Sequence, residues 1–391
     1  MQKLLVVLPR VPWPLEKGDK LRAYHQLRYL SLHFQIYLVA LSEGQPHPEA
    51  LSQLKPYCTE VHFISLSKTR IFLGMLKALF LGWPLQTGYF YHPGAFRKIQ
   101  SIISLHHPDF AYFQLARTGP YARDLSIPAV IDFQDTFSAG MRRRRDRASV
   151  WFKPFFHFEY DRLRRFEASL LDSCTEATLI SLPDRELFPH PQRERIHIIP
   201  NGVDFDFFIP DTSIAKQEWV LFIGNMNYPP NVDAARFLAK EIMPRVWNHR
   251  PSAHLILAGA TPHPSVKALA GEKIRVTGWV NDMRDYYNRA AVFVAPMRMG
   301  TGLQNKLLEA MAMHLPCVTS PLANQSLGAR PGHEILTGTS AAEFASHIIH
   351  LLDDPDFAHS LACNGHSFVK NHYSWETATR RLAEIIKQTT S

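Results

Sequence analysis

Residues Val292–Ser320 read VFVAPMRMGTGLQNKLLEAMAMHLPCVTS. An apolar run ends at Ala295 and Pro296, and Gly300 and Gly302 then bracket Thr301. Strong helix formers follow over Asn305–Met313, before a second short apolar run at Cys317–Ser320. Strand, glycine-rich turn and helix together aim free backbone N–H groups at an anion, and glycine lets the chain approach it closely. Arg298 precedes the turn and Lys306 lies one turn into the helix, so a cation flanks each side. Glu309, further along, offers a carboxylate to hydroxyls such as a ribose pair. The alternative is an ordinary strand–turn–helix corner; the flanking cations and the polar Gln304 at the helix start favour phosphate. The segment is neither a GxxxxGK[ST] loop nor a GxGxxG fingerprint, and it lies far from the first strand.

The same rhythm extends in both directions. Strands are expected at Glu218–Gly224, His254–Gly259, Ile274–Thr277 and Val292–Ala295, with helices at Asn231–Asn248, Ser265–Leu269 and Met283–Ala290. Further strands are expected at Lys3–Leu8, Gln35–Leu41, Glu60–Ile64, Phe110–Gln114, Ala129–Asp132 and Ala177–Ser181, with a helix at Lys20–Leu32. Such alternation predicts parallel sheets covered by helices on both faces. The stretch Pro200–Ser213, PNGVDFDFFIPDTS, reads as a turn-rich linker. The expected fold is α/β, with two doubly wound Rossmann-like domains facing a central cleft. They span residues 1–200 and 201–373, and an amphipathic helix over 374–391 is expected to pack back toward the first. Ligands of such sheets bind at the carboxyl ends of the strands.

A chain of 391 residues exceeds what one core of about 250–300 residues supports, which agrees with two domains. With 46% hydrophobic and 20% charged residues it is not a disordered chain. No apolar run reaches the roughly 18 residues of a membrane span. The best, Ile71–Gly82, is short and carries Lys77, and the start MQKLLVVLPR reads as a first strand rather than a signal peptide. Cys58, Cys174, Cys317 and Cys363 form no CxxC pair, which argues against a disulfide framework or a zinc site and for a reducing cytoplasm. Twenty scattered histidines show no HExxH or HxH pattern. The net charge of +8 points to an anionic partner without choosing among nucleic acid, phosphorylated substrate and membrane surface.

Residue by residue, the phosphate segment resembles retaining glycosyltransferases of family 4 with the GT-B fold. That family carries Glu-Gly-x-Gly-x-x-x-x-Glu-Ala-x-Ala followed by a buried Pro-Val-Val strand. Here Thr301, Gly302, Leu303, Gln304, Glu309, Ala310 and Ala312 occupy the pattern, then Pro316-Cys317-Val318. PNGVD at Pro200–Asp204 resembles the interdomain motif. LFIGNMNYPPN at Leu221–Asn231 resembles the first strand and loop of the nucleotide domain, and VTGWVND at Val276–Asp282 resembles the loop beside the nucleobase. RVPWPLEKGDKLRAYHQL at Arg10–Leu27, GNMNYPPNVDAARF at Gly224–Phe237 and GLQNKLLEAMAM at Gly302–Met313 resemble a subgroup of exopolysaccharide-associated sugar transferases. The resemblance implies donor-binding roles for Gly18, Gly224, Asn225, Met226, Val280 and the run Gly300–Gln304 with Glu309. Thr301 stands where the family has its first Glu, which contacts the donor sugar, and Gln304 stands where it has a second Gly. Asn225 and Asn231 stand near the family's diphosphate-binding Arg and Lys, so Arg298 and Lys306 are the expected replacements.

In the first domain, Lys20 and Arg22 near the helix start at Gly18 are expected to add positive charge; the alternative is a solvated helix start capped by Asp19. Asp132 and Asp135 end a strand, and Asp135 is the candidate for gripping an acceptor hydroxyl, against a turn or cap role. The triplets Asp204-Phe205-Asp206 and Asp354-Pro355-Asp356 read as turn chemistry and not as metal–nucleotide sites. Met141–Arg165 mixes arginines and aromatics; with Ile71–Leu85 it suits lipid headgroups, inward packing or nucleic acid.

The expected reaction is metal-independent sugar transfer, with retention, from a nucleotide sugar to a glycan or lipid-linked glycan acceptor, with no cofactor and no nucleic acid. Arg298 and Lys306 would neutralise the leaving diphosphate. Two alternatives are an acceptor-independent epimerase or hydrolase and a non-catalytic nucleotide-sugar-binding partner of an assembly complex.

Overall fold

Continuous apolar runs such as KLLVVL cannot leave one face in water, so they form strands buried on both sides. In β1 (Gln2–Leu8), Leu4, Val6 and Leu8 face one core and Leu5 and Val7 the other. The computed structural model describes every residue except Asp124, Gly300, Thr301, Thr390 and Ser391, and all side chains of the rest but that of Arg147. It divides into two units, Met1–Pro200 with Trp375–Ser391, and Asn201–Ser374.

In the first unit β1 is joined by β2 (Phe34–Ser42), β3 (Glu60–Ser65), β4 (Phe110–Gln114), β5 (Ala129–Gln134), β6 (Glu176–Leu179) and β7 (His197–Ile198). The order is β3-β2-β1-β4-β5-β6-β7 with every pairing parallel. Gln2 pairs with Phe34 on one side of β1 and Leu4 with Phe110 on the other. The strand order reverses between β1 and β4. The helix Trp375–Gln388 buries Leu382, Ile385 and Ile386 in the core shared with Leu4, Val6 and Leu27, and Trp375 stacks on His25.

The second unit holds β8 (Trp219–Ile223), β9 (His254–Ala258), β10 (Ile274–Val276), β11 (Val292–Ala295), β12 (Cys317–Thr319) and β13 (Leu336–Thr337). All are parallel, in the order β10-β9-β8-β11-β12-β13, around a single core. Here the reversal falls between β8 and β11.

Four sequence expectations need correction. The first helix runs Gly18–Leu30, two residues earlier than expected, and Asp19 is not its cap: it lies in the first turn and bonds Arg10 at 2.6 Å. The expected single helix Asn231–Asn248 is three segments, Pro229–Phe237, a π-helical turn at Leu238–Ile242, and Met243–Trp247. Pro244 lacks the N–H that would continue the ladder, and the wider turn absorbs the break. Of the triplet read as a turn at Asp354, only Asp354 lies outside helix: it caps the helix Pro355–His372 by accepting from Phe357 N at 2.9 Å, and Pro355 and Asp356 form its first turn. The two-residue strands β7 and β13 are too short to leave a periodic signal, and the sequence reading passed over them.

Candidate functional site

The reversal between β8 and β11 is where a doubly wound sheet opens a crevice at its carboxyl edge. Gly224, Asn225 and Met226 follow β8, and Arg298 to Gln304 follow β11, leading into the helix Asn305–Ala312. Lys306 reaches from that helix toward the end of β8. Its Nζ donates to Asn231 Oδ1 at 2.6 Å, and Asn231 Nδ2 donates to the Asn225 carbonyl at 3.0 Å. A Cβ on Gly224 would stand 2.6 Å from Asn231 Nδ2 and 3.2 Å from Lys306 Nζ, so a side chain here would displace the Asn231 amide and with it the partner of Lys306. The next strand ends are stitched to it: Gly224 N donates to the Ala258 carbonyl, and Gly259 N to the Gly278 carbonyl. Gly259 has φ +140°, and a Cβ there would overlap the Gly224 carbonyl.

The electrostatics of this corner are unusual. Burial pushes the Lys306 ammonium down to about 7, and Glu309 only partly offsets it. Burial likewise pushes the Glu309 carboxyl up to about 7, against the Tyr287 hydroxyl that donates to it at 2.8 Å and against Lys306. Residues 306 and 309 share a helix face one turn apart. Each charge has a neutral hydrogen-bond partner and, beyond their mutual attraction, neither forms an ion pair among the described residues, so an incoming anion gains more at Lys306 than it would at a salt-bridged lysine. Gln304, at the cap position, bonds the Gly302 carbonyl at 2.8 Å, and no side chain caps the helix. Leu307 N donates to the Gln304 carbonyl at 2.9 Å, while the N–H groups of Asn305 and Lys306 have no side-chain cap among the described residues.

Other expected residues fare differently. Arg298 is bound by Asp233 through Nη2 at 2.7 Å and Nε at 2.9 Å, with its guanidinium 4.3 Å from the Phe237 ring centroid. Met226 is buried in the core, and its backbone groups are engaged with Ala260 and His263. Asn225 is exposed; its Oδ1 accepts from Asn227 N and Thr261 Oγ1, both at 3.0 Å. Gly302 stands in open space, Leu303 packs on the core, and Val280 is half-buried beside the exposed Trp279. Gly300 and Thr301 lie outside the described residues. The sequence reading missed Tyr287; it placed Gly259 at the end of a strand and Gly278 in the loop beside the nucleobase without singling out either.

In the first unit, Gly18 opens its helix with free space around it, and Lys20 pairs with Glu16 at 3.4 Å. Arg22 adds no free surface charge, contrary to expectation. It is fully buried, bonds Asp132 through Nε at 2.6 Å and Nη2 at 3.2 Å, and donates to the Ile199 and Pro200 carbonyls. Asp132 also accepts from Tyr112 Oη at 2.8 Å and Thr178 Oγ1 at 2.9 Å. A carboxylate so completely engaged is an internal strut. Asp135, at the next turn, has no side-chain hydrogen bond among the described residues. The protein gathered around its carboxyl, then Asp184, push it up to about 6, although the residue keeps an exposed surface. The backbone just before it is held at φ +62° at Gln134, and the end of β4 at φ +64° at Leu115. Non-glycine residues in this region cost about 1–3 kcal/mol each and gather at functional sites. Arg117, also missed in the sequence, is pushed down to about 10 by burial and by Arg10, and donates to Gln86 Oε1 at 3.1 Å. Among the described residues no cluster of His, Cys, Asp and Glu suits a metal.

Residues 217–354 match the family described as Glycosyl transferases group 1. The chain is 24% identical to an uncharacterized 44.6 kDa protein in the cps region of Klebsiella pneumoniae, across 95% of this chain and 97% of that one. It is 27% identical to a GDP-mannose-dependent monoacylated alpha-(1-6)-phosphatidylinositol monomannoside mannosyltransferase of Corynebacterium glutamicum, across 51% of this chain and 57% of that one. The HepE protein of Anabaena, solved with UDP and glucose, superposes with a TM-score of 0.69 over 99% of this chain and 100% of that one, at 15% identity. Sucrose-phosphate synthase of Thermosynechococcus elongatus gives 0.70 over 99% of each chain, also at 15% identity. The fold is GT-B, two Rossmann-like α/β domains, and the family match lies within the second of them.

Proposed function

We propose that the protein transfers a sugar from a nucleoside diphosphate donor to an acceptor hydroxyl. The observation that carries this reading is the Lys306–Asn231–Gly224 corner at the strand-order reversal, with Glu309 one helical turn further on. Breaking the bond between the anomeric carbon and the diphosphate places negative charge on the departing phosphate. Lys306 and the uncapped N–H groups at Asn305 are placed to meet it, and donors aimed where charge develops supply much of the rate. Binding of the diphosphate would raise the Lys306 pKa and hold its proton. Glu309, as the carboxylate, accepts from donor hydroxyls. Arg298 can assist once it leaves Asp233. Asp135, in the other unit, is the carboxylate proposed to accept from the acceptor hydroxyl. With Lys306 as the diphosphate's cation, the reaction needs no metal ion. The anomeric configuration is retained, as the resemblance to family 4 implies, and the product belongs to cell-surface glycan or exopolysaccharide synthesis on the cytoplasmic side.

The test is a thermal-shift panel of UDP, GDP, ADP, UDP-glucose and GDP-mannose on the wild-type protein and on Glu309→Ala. A rise specific to one base, reduced in the variant for the nucleotide sugar, is the expected result. A flat panel on folded protein contradicts the reading and favours a non-catalytic partner. Release of nucleoside diphosphate at the same rate with and without acceptor would mark a hydrolase or epimerase.

A further inference from the structure

The helix Lys68–Leu81 is packed inside out. Its buried residues are Gly74 and Ala78, against Gly88 of the helix Leu85–Phe90; a Cβ on Gly74 would overlap the Gly88 carbonyl. The small residues therefore form the inner face, and Phe72, Leu73, Leu76, Leu79 and Phe80 stand in solvent, Phe80 at 89% exposure. An amphipathic helix on a soluble surface does the opposite. A second exposed group sits where the helix Lys153–Ser173 begins, with Trp151 at 87% exposure, then Phe152, Phe155 and Phe158. The inward-packing alternative for these aromatics is thereby excluded.

The two groups are one surface. Arg162 of the second helix donates to the carbonyls of Ala78, Leu79 and Trp83 at the end of the first, and its guanidinium lies 4.0 Å from the Phe158 ring centroid. Glu159 accepts from Leu85 N at 3.0 Å. Basic residues are dense in the same two segments. Residues 68–85 and 141–165 contain twelve of the chain's 43 Lys and Arg and three of its 35 Asp and Glu, a net +9 against +8 for the whole chain. Arg145, Lys153 and His157, with Asp146 and Pro154, also line an open cavity of about 560 Å³.

We propose that this face of the first unit docks on an anionic lipid bilayer. The aliphatic and aromatic side chains enter the headgroup region, and the Arg and Lys of the same segments meet lipid phosphates. Aromatic and aliphatic groups exposed together on segments rich in Arg and Lys suit an interface that is apolar beneath and anionic above. No helix among the described residues is long and apolar enough to cross a membrane, so the contact lies on the surface. The proposal stands whether or not the protein transfers sugar.

Flotation with vesicles of phosphatidylethanolamine and phosphatidylglycerol, at roughly 3:1, tests it against vesicles of phosphatidylcholine. The wild type should bind the anionic vesicles roughly tenfold better, and about 0.5 M salt should erase most of that preference. The triple variant Phe72→Ser, Phe80→Ser, Trp151→Ser should lose binding to both while keeping its circular dichroism and melting temperature, since all three side chains are exposed. Arg142→Gln with Lys153→Gln and Arg164→Gln should lose only the anionic preference. Absence of wild-type binding to either vesicle, undiminished binding by the apolar triple variant, or displacement from vesicles by single-stranded RNA would each overturn it.

Discussion

Each unit keeps charges at the carboxyl ends of its strands, and the two treat them in opposite ways. In the first, Arg22 and Asp132 are buried together and satisfy one another, with Tyr112, Thr178 and two carbonyls completing the set. In the second, Lys306 and Glu309 sit one turn apart with neutral hydrogen-bond partners, Asn231 and Tyr287, and burial moves each toward neutrality near pH 7. A paired buried charge holds the fold together. One whose solvation is removed and only partly replaced can gain from a ligand what the fold does not supply.

The comparison can be broken by stability measurements. Arg22→Met should be the most damaging change, about 3–5 kcal/mol in denaturant unfolding, because Asp132 is left buried without its cation. A loss below about 1 kcal/mol would show that Asp132 can find another proton or partner. Glu309→Ala should cost about 1 kcal/mol, the order of one hydrogen bond from Tyr287, since burial already favours the neutral acid. Arg298→Ala should cost about 0.5 kcal/mol, the usual size for a partly exposed pair. If it instead weakens nucleoside diphosphate binding more than Lys306→Met does, the ordering of the two cations is wrong.

Lys306→Met should leave stability unchanged or higher at pH 7–9. The sign follows from the lowered pKa. With the native ammonium near 7 and the unfolded one near 10.5, the unfolded chain binds more protons between those values. Wild-type stability from this group therefore rises with pH across the window and is lowest below it, and the variant lacks that slope. A fall in stability comparable to that of Arg22→Met would make Lys306 a strut and erase the distinction between the units.

How much of this could be read from sequence follows the range of the interactions. The strands and their alternation with helices were legible, because burial on both faces writes itself as continuous apolar runs. Lys306 and Glu309 were legible too, since their spacing and the preceding glycine turn are local. Asn231, 75 residues from Lys306, was noted only as standing where a cation was expected; its bond to Lys306 depends on the sheet order. Arg22, within the polar run EKGDKLR, looks like part of a solvated helix start. Only the fold, by bringing Asp132 from 110 residues away, makes it a buried partner. The apolar run at Ile71–Gly82 declared its composition but not its orientation, which the contact between Gly74 and Gly88 decides.

The central claim is that Lys306 carries the charge that receives the donor diphosphate. Titration calorimetry of UDP, or of whichever nucleoside diphosphate the thermal-shift panel selects, tests it at pH 7 and pH 9 on the wild type and on Lys306→Met. Above pH 7 the terminal phosphate's own ionisation, at about 6, is largely complete, so a fall in affinity across this window reports the protein's groups, Lys306 and Glu309, and the part lost in the variant is that of Lys306. The account predicts about a tenfold fall in the wild type, weaker binding by Lys306→Met at pH 7, and a smaller pH dependence in that variant, the part that Glu309 contributes as its carboxyl ionises. Equal affinity of the two proteins at pH 7, or the same pH dependence in both, would contradict it.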